Sequence, residues 1–142
     1  MIGRQIIITN RAFTLQELHR FMKERWDTEQ YNDFIVGRPT PASIEEYILL
    51  PATQRYMVIA YSRAAGGLFS RNDRVILSVA HTPDGVKQWM TTSIPSHNMF
   101  FGAWKMSKTM SMEKERKGPA EEALQKYTAY MRGLLEAAGY AK

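Results

Sequence analysis

The chain has 142 residues, of which 44% are hydrophobic, 11% aromatic and 23% charged, fractions that exclude disordered and fibrous proteins. At roughly 100 to 200 residues per domain, the length predicts a single domain over residues 1–142. A net charge of +5 favours anionic partners only mildly. Because the chain has no cysteine and no apolar run of the roughly 18 residues that a membrane span needs, we expect a cytoplasmic protein without a transmembrane segment.

A strand and a helix are predicted first. Residues 4–9 contain three consecutive isoleucines, whose β-branched side chains favour a strand. Thr14 and Glu17 have the spacing of a capping box, and the apolar residues that follow repeat at helical intervals as far as Trp26. Residues 27–43 have no periodicity and are rich in glycine and proline, so they are predicted to form a long loop. Loops beyond about 12 residues often border a functional site.

Four strands are predicted in the middle of the chain, at residues 47–50, 54–61, 74–82 and 86–94. The third alternates apolar residues between two faces, with Val75, Leu77 and Val79 on one of them. A Thr-Pro-Asp-Gly turn separates the last two strands, which are therefore predicted to form an antiparallel hairpin. Joined in sequence order, the four strands predict a meander.

Two helices are predicted after the sheet. Residues 98–114 have helical periodicity, with methionine and aromatic residues around much of the helix. Gly118 and Pro119 are expected to break the chain, and a long amphipathic helix should run from Pro119 to a C-terminal stop at Gly139. The sequence thus predicts an α+β fold, in which helices cover one face of an antiparallel β-meander and the last helix is long and amphipathic.

This order of elements resembles the START/SRPBCC helix-grip superfamily, in which a curved sheet wraps the last helix around an apolar cavity. Members mostly have two helices after the first strand and six strands in the meander, whereas here one helix and four strands are predicted, with an extra helical segment at 98–114. The resemblance implies a hydrophobic small molecule or lipid as ligand. It carries no catalytic residues over to this chain, because the superfamily has none that all members share.

No metal site or cofactor is predicted. The three histidines, His19, His81 and His97, are not spaced as metal ligands, and no glycine-rich phosphate loop is present. Lys105 begins the sequence Lys-Met-Ser-Lys-Thr, which is similar to the nucleotide loop of class I aminoacyl-tRNA synthetases. The companion His-x-Gly-His signature is absent, and the chain is too short for that catalytic domain.

Three functions remain open. The first is a non-enzymatic domain that binds an apolar small molecule or lipid in a cavity between the sheet and the C-terminal helix, lined by Trp89, Met90, Trp104, Met106, Met110, Tyr127 and Met131. The second is an interaction module that binds nucleic acid or acidic lipid through Lys105, Lys108, Lys114, Arg116 and Lys117. The third is a small enzyme that uses His81 or His97. An edge strand at 4–9 would allow a homodimer.

Overall fold

The computed structural model describes residues 2–66, 72–94, 101–106 and 109–142. The strands are β1 (Ile2–Thr9), β2 (Ile35–Gly37), β3 (Tyr47–Pro51), β4 (Tyr56–Arg63) and β5 (Asp73–His81). The helices are α1 (Leu15–Arg25), α2 (Thr28–Tyr31), α3 (Asp84–Ser93), α4 (Phe101–Met106), α5 (Met112–Glu115) and α6 (Glu121–Ala137), with a π-helical turn (Arg116–Ala120) between the last two.

The five strands form one antiparallel sheet in the order β1-β5-β4-β3-β2. Strands β2 to β5 make a meander, and β1 returns to pair with β5. The α+β class, the antiparallel sheet and the long C-terminal helix are confirmed. The predicted loop at 27–43 contains α2 and the short strand β2, in which Ile35 lies opposite Leu49 of β3.

The predicted strand at 86–94 is wrong, because these residues form α3. The Thr-Pro-Asp-Gly sequence begins a helix instead of a hairpin turn: the carbonyl of Pro83 accepts hydrogen bonds from the amides of Val86 and Lys87 at 3.0 and 3.2 Å. Strand β5 already pairs with β4 on one edge and with β1 on the other, so a hairpin partner would have no free edge along most of its length. Met90 is instead fully buried against the sheet.

The first face of the sheet is covered by α1 and α6. Helix α1 begins as predicted, because Thr14 and Glu17 form a complete capping box. The buried apolar side chains of α6 belong to the same cluster as Val75, Leu77 and Val79 of β5. The alternation predicted for this strand therefore directs those three residues toward the C-terminal helix.

The second face also carries helices, which the sequence did not predict. Met90 and Ile94 from α3 and its C-terminal end, together with Trp104 from α4, pack in a separate apolar cluster. The sheet residues of that cluster are Leu49, Met57, Ile59, Tyr61 and Ile76. The sheet is thus the middle layer between two apolar clusters.

The helix predicted over residues 98–114 is represented among the described residues by α4 and the four-residue helix α5. The expected break at Gly118 and Pro119 is also wrong, since both residues lie inside the π-helical turn that joins α5 to α6. A wider turn accommodates proline, which has no amide hydrogen to donate. The predicted stop is present: Gly139 follows the helix with a φ of 81°, a conformation that favours glycine.

Candidate functional site

The structure does not bring the predicted cavity residues together. Trp89, Met90 and Trp104 pack on the second face of the sheet, whereas Tyr127 and Met131 are buried on the first. The remaining two are Met110, which is half-buried after α4, and Met106, whose side chain lies outside the described part of the chain. The sheet thus separates Tyr127 and Met131 from Trp89, Met90 and Trp104, so these five side chains do not line one cavity against the C-terminal helix.

Tyr127 is part of the hydrophobic core. Its hydroxyl donates a hydrogen bond to the carbonyl of Pro51 and accepts one from the side-chain amide of Asn32 at 2.9 Å. Its ring stacks against that of Trp26, with 6.1 Å between the ring centroids. Complete burial raises the pKa of Tyr127 far above its ordinary value. These contacts fix the side chain in place and leave no surface of Tyr127 for a ligand.

A different pocket lies on the second face of the sheet. Its volume is about 520 Å³, within the roughly 300 to 1,000 Å³ typical of small-molecule sites. One wall is the end of the predicted 27–43 loop together with β3, and the floor is formed by β4 and β5. The lining residues are Pro39, Thr40, Ala42, Ser43, Tyr47, Ile59, Val79, Ala80 and His81. We call this the loop pocket.

Tyr47 is an aromatic wall of the loop pocket that its neighbours hold in place. Its hydroxyl donates to Glu45 at 2.9 Å, and the same carboxylate oxygen receives the guanidinium of Arg63 at 2.6 Å. The ring also meets that of Tyr61 edge-on, at 4.9 Å between centroids. Burial, followed by the hydrogen bond to Glu45, raises the pKa of Tyr47. The wall therefore stays uncharged at neutral pH.

The described residues that line the loop pocket include very few that can carry a charge. Among the lining residues that the structure describes, Tyr47 and His81 are the titratable ones, and none is Lys, Arg, Asp or Glu. His81 is exposed at the end of β5, where its ring lies 4.9 Å from the ring of Tyr56. His97, the other candidate catalytic histidine, lies outside the described residues. An ionised ligand would therefore find no fixed counter-charge among the lining residues in the described part of the chain.

The basic residues predicted to bind anions do not all lie exposed on one element of the structure. Lys114 and Lys117 are exposed on α5 and the π-helical turn, and Lys117 pairs with Glu113 at 2.9 Å. Arg116 is half-buried, Lys105 is exposed on α4, and Lys108 lies outside the described residues. Glu115, in the middle of this stretch, is fully buried and pairs with Arg55 from the turn between β3 and β4.

Sequence reasoning missed the loop pocket because its residues come from three separate segments of the chain. Only the proline-containing loop was a usable signal, since long loops often border sites.

Over the described ranges, no group of three or more acidic or histidine side chains is placed to hold a metal, and no helix combines the length and apolarity needed to cross a bilayer. No protein-family model, curated protein or solved structure matches this chain.

Proposed function

We propose that this protein binds a small, uncharged, largely apolar molecule in the loop pocket. The observation that supports the proposal is a pocket of about 520 Å³ whose lining is dominated by Pro39, Ala42, Tyr47, Ile59 and Ala80. Apolar lining with few polar groups is the usual character of sites that bind small molecules. Because no described lining residue carries a fixed charge, an ionised ligand would lose its hydration there without gaining a partner among them.

The position of the pocket also supports binding. Its floor is the rigid sheet, where Ile59 pairs with Ser78 across two strands of eight and nine residues. Its wall is a loop that begins after the short edge strand β2. Loops held by a rigid scaffold can adapt to a ligand while the scaffold stays ordered. The absence of cysteine is compatible with a reducing compartment, and we propose that the protein works in the cytoplasm.

Filling the loop pocket should abolish binding. Ala42 is exposed on the loop wall, so an Ala42→Trp variant places an indole in the pocket without disturbing the core. We expect the neutral fluorescent probe N-phenyl-1-naphthylamine to bind the unmodified protein and to bind the variant at least about tenfold more weakly, a loss of roughly 1.4 kcal/mol. The measurement is a fluorescence titration.

The matched control is Ala64→Trp. Ala64 is also an exposed alanine in a loop, but it does not line the pocket, so the probe affinity should be unchanged. Equal affinity of the probe for both variants, or no binding by the unmodified protein, would contradict the proposal. Native mass spectrometry of the purified protein adds an independent readout, because a retained ligand appears as extra mass that is lost on denaturation.

Repeating the titration at two ionic strengths separates the proposal from the anionic-surface alternative. Binding in an uncharged pocket should hardly change between about 50 and 200 mM salt, whereas phosphate contacts made by Lys114, Lys117 and their neighbours should weaken steeply. A single-stranded DNA oligonucleotide is the comparison ligand. Strong, salt-sensitive binding of the oligonucleotide without binding of the probe would contradict the proposal and would support anion binding by the basic segment.

A further inference from the structure

Strand β1 lies at one edge of the sheet, and the C-terminal residues pair with only one end of it. The amide of Lys142 donates to the carbonyl of Ile8 at 3.0 Å, and the amide of Asn10 donates to the carbonyl of Tyr140 at 2.9 Å. Along a strand, consecutive residues direct their backbone groups to opposite edges. The even-numbered residues from 4 onward therefore direct their amides and carbonyls away from β5.

The remaining part of this edge is formed by Arg4 and Ile6. Both residues direct their backbone groups outward, and no described residue pairs with those groups. The side chains are also exposed, by 40% for Ile6 and by 37% for the neighbouring Ile8. An unpaired edge with exposed apolar side chains is a template for a further strand. The pairing of the C-terminal residues shows that this edge accepts an antiparallel one.

Three registers would pair this part of β1 with β1 of a second copy, and one of them avoids conflict. A twofold axis at Ile6 would require the carbonyl of Ile8, which already accepts the Lys142 amide. An axis at Arg4 would place two like charges directly opposite each other. An axis at Gln5 places Arg4 opposite Ile6 of the second copy. Residues opposite each other with their backbone groups facing inward exchange two hydrogen bonds, and the axis repeats that exchange.

The side chains also suit the register centred on Gln5. Arg4 and Ile6 lie on the second face of the sheet, since Ile6 is opposite Ile76. The aliphatic part of Arg4 can therefore cover the exposed Ile6 of the second copy. Gln5 is half-buried on the first face, where the two copies of this residue meet at the axis. Their side-chain amides each have a donor and an acceptor, so they can hydrogen-bond each other.

We propose that two copies of this chain associate through β1, paired antiparallel about a twofold axis at Gln5. The two five-stranded sheets then join edge to edge into one continuous sheet. A second copy is the partner that fits, because a twofold interface requires a self-complementary surface and this edge provides one. The proposal concerns a different surface from the loop pocket, so it does not depend on the proposed function.

A single cysteine at position 5 tests both the partner and the register. The chain has no cysteine, so Gln5→Cys introduces its only thiol. Residues opposite each other in a non-hydrogen-bonded antiparallel pair have Cα atoms about 4.5 Å apart, which a disulfide can span. We expect oxidation with diamide to convert most of this variant into a covalent dimer on a non-reducing gel. The control is Val36→Cys, exposed on the opposite edge strand β2, which should stay a single chain.

Charge changes at Ile6 provide a second readout, which needs no oxidation. Sedimentation of the unmodified protein should give twice the 16.4 kDa mass of one chain. Ile6→Lys places a positive charge opposite Arg4 of the second copy, whereas Ile6→Glu places a negative charge there. Because each pair occurs twice, we expect the glutamate variant to dimerise at least about tenfold more tightly than the lysine variant. The control, Val36→Lys, should leave the dimer affinity unchanged.

The possible results separate this dimer from other uses of the edge. A single-chain mass for the unmodified protein would leave the edge to a strand from another protein and would overturn the proposal. If Val36→Lys separates the copies and Ile6→Lys does not, the copies associate through β2 instead. If the two Ile6 variants weaken the dimer equally and Gln5→Cys forms no disulfide, the axis at Gln5 is wrong.

Discussion

Replacing Arg55 with methionine should lower the free energy of unfolding by about 3 to 5 kcal/mol, the usual effect of leaving one charge of a buried pair alone. The side chain of Glu115 is completely buried. Its carboxylate accepts hydrogen bonds from Arg55 Nε at 3.1 Å, from the Arg55 amide at 3.1 Å and from Thr53 Oγ1 at 2.8 Å. Urea denaturation, monitored by tryptophan fluorescence, measures this decrease in the free energy of unfolding.

Arg63→Met is the control for this prediction. Arg63 also pairs with a glutamate, Glu45, but both side chains of that pair are more than a third exposed, so water replaces the lost contact and the stability should change little. Combining Arg55→Met with Glu115→Gln should restore part of the stability, because it removes the buried charge. If Arg55→Met were no more harmful than Arg63→Met, the buried pair would not hold the fold together.

The ion pair between Arg55 and Glu115 joins two segments that are distant in the sequence. Arg55 lies in the turn between β3 and β4, and Glu115 is the last residue of α5, just before the π-helical turn. The Arg55 guanidinium also donates to the carbonyl of Met110, so one side chain holds both ends of the segment that leads into the long C-terminal helix. We therefore expect the loss of Arg55 to loosen the start of that helix before it affects α1.

Replacing Tyr127 with phenylalanine should lower the free energy of unfolding by about 2 kcal/mol. The substitution keeps the buried ring and removes only the hydroxyl, which leaves the Pro51 carbonyl and the Asn32 side-chain amide without this partner. An unpaired buried polar group costs about 1 to 3 kcal/mol. Chemical denaturation of the variant measures the effect.

Tyr130→Phe tests whether burial is the cause. Tyr130 lies on the same helix and accepts a hydrogen bond from the Asp27 amide at 2.8 Å, but in a solvent-exposed setting. Water can replace that hydroxyl, so this variant should lose clearly less stability than Tyr127→Phe. If the pocket ligand were bound by Tyr127, Tyr127→Phe would weaken N-phenyl-1-naphthylamine binding. We expect its affinity to be unchanged, because Tyr127 lies on the opposite side of the sheet.

Local patterns predicted the elements whose signals lie within a few residues. The isoleucines of β1, the capping box of α1, the alternation along β5 and the stop at Gly139 all agree with the structure. Each depends on backbone preference or on contacts between near neighbours in sequence, which the local sequence contains. The resemblance to the helix-grip superfamily depends on element order alone and stays a prediction.

Tertiary structure decided the rest. Residues 86–94 have a pattern that suits a strand, yet they fold as α3 because β1 occupies the edge of β5 and the second sheet face needs an apolar cover. The choice between strand and helix was made by contacts with distant parts of the chain. For short amphipathic segments, hydrophobic periodicity and intrinsic secondary-structure propensity do not decide between a strand and a helix.

The candidate functional residues also divide into features that the local sequence predicts and features that long-range packing decides. The sequence marked Tyr127 and Met131 as apolar residues of one helix face, but it could not tell a core from a pocket, since both require apolar side chains. Glu115 appeared only as an interruption in a basic stretch, whereas its partner lies 60 residues away. The sequence by itself determined the fold class and its local elements. The packing of distant segments decided which face is core, where the pocket lies and which charges are buried, because those depend on long-range contacts that no local pattern records.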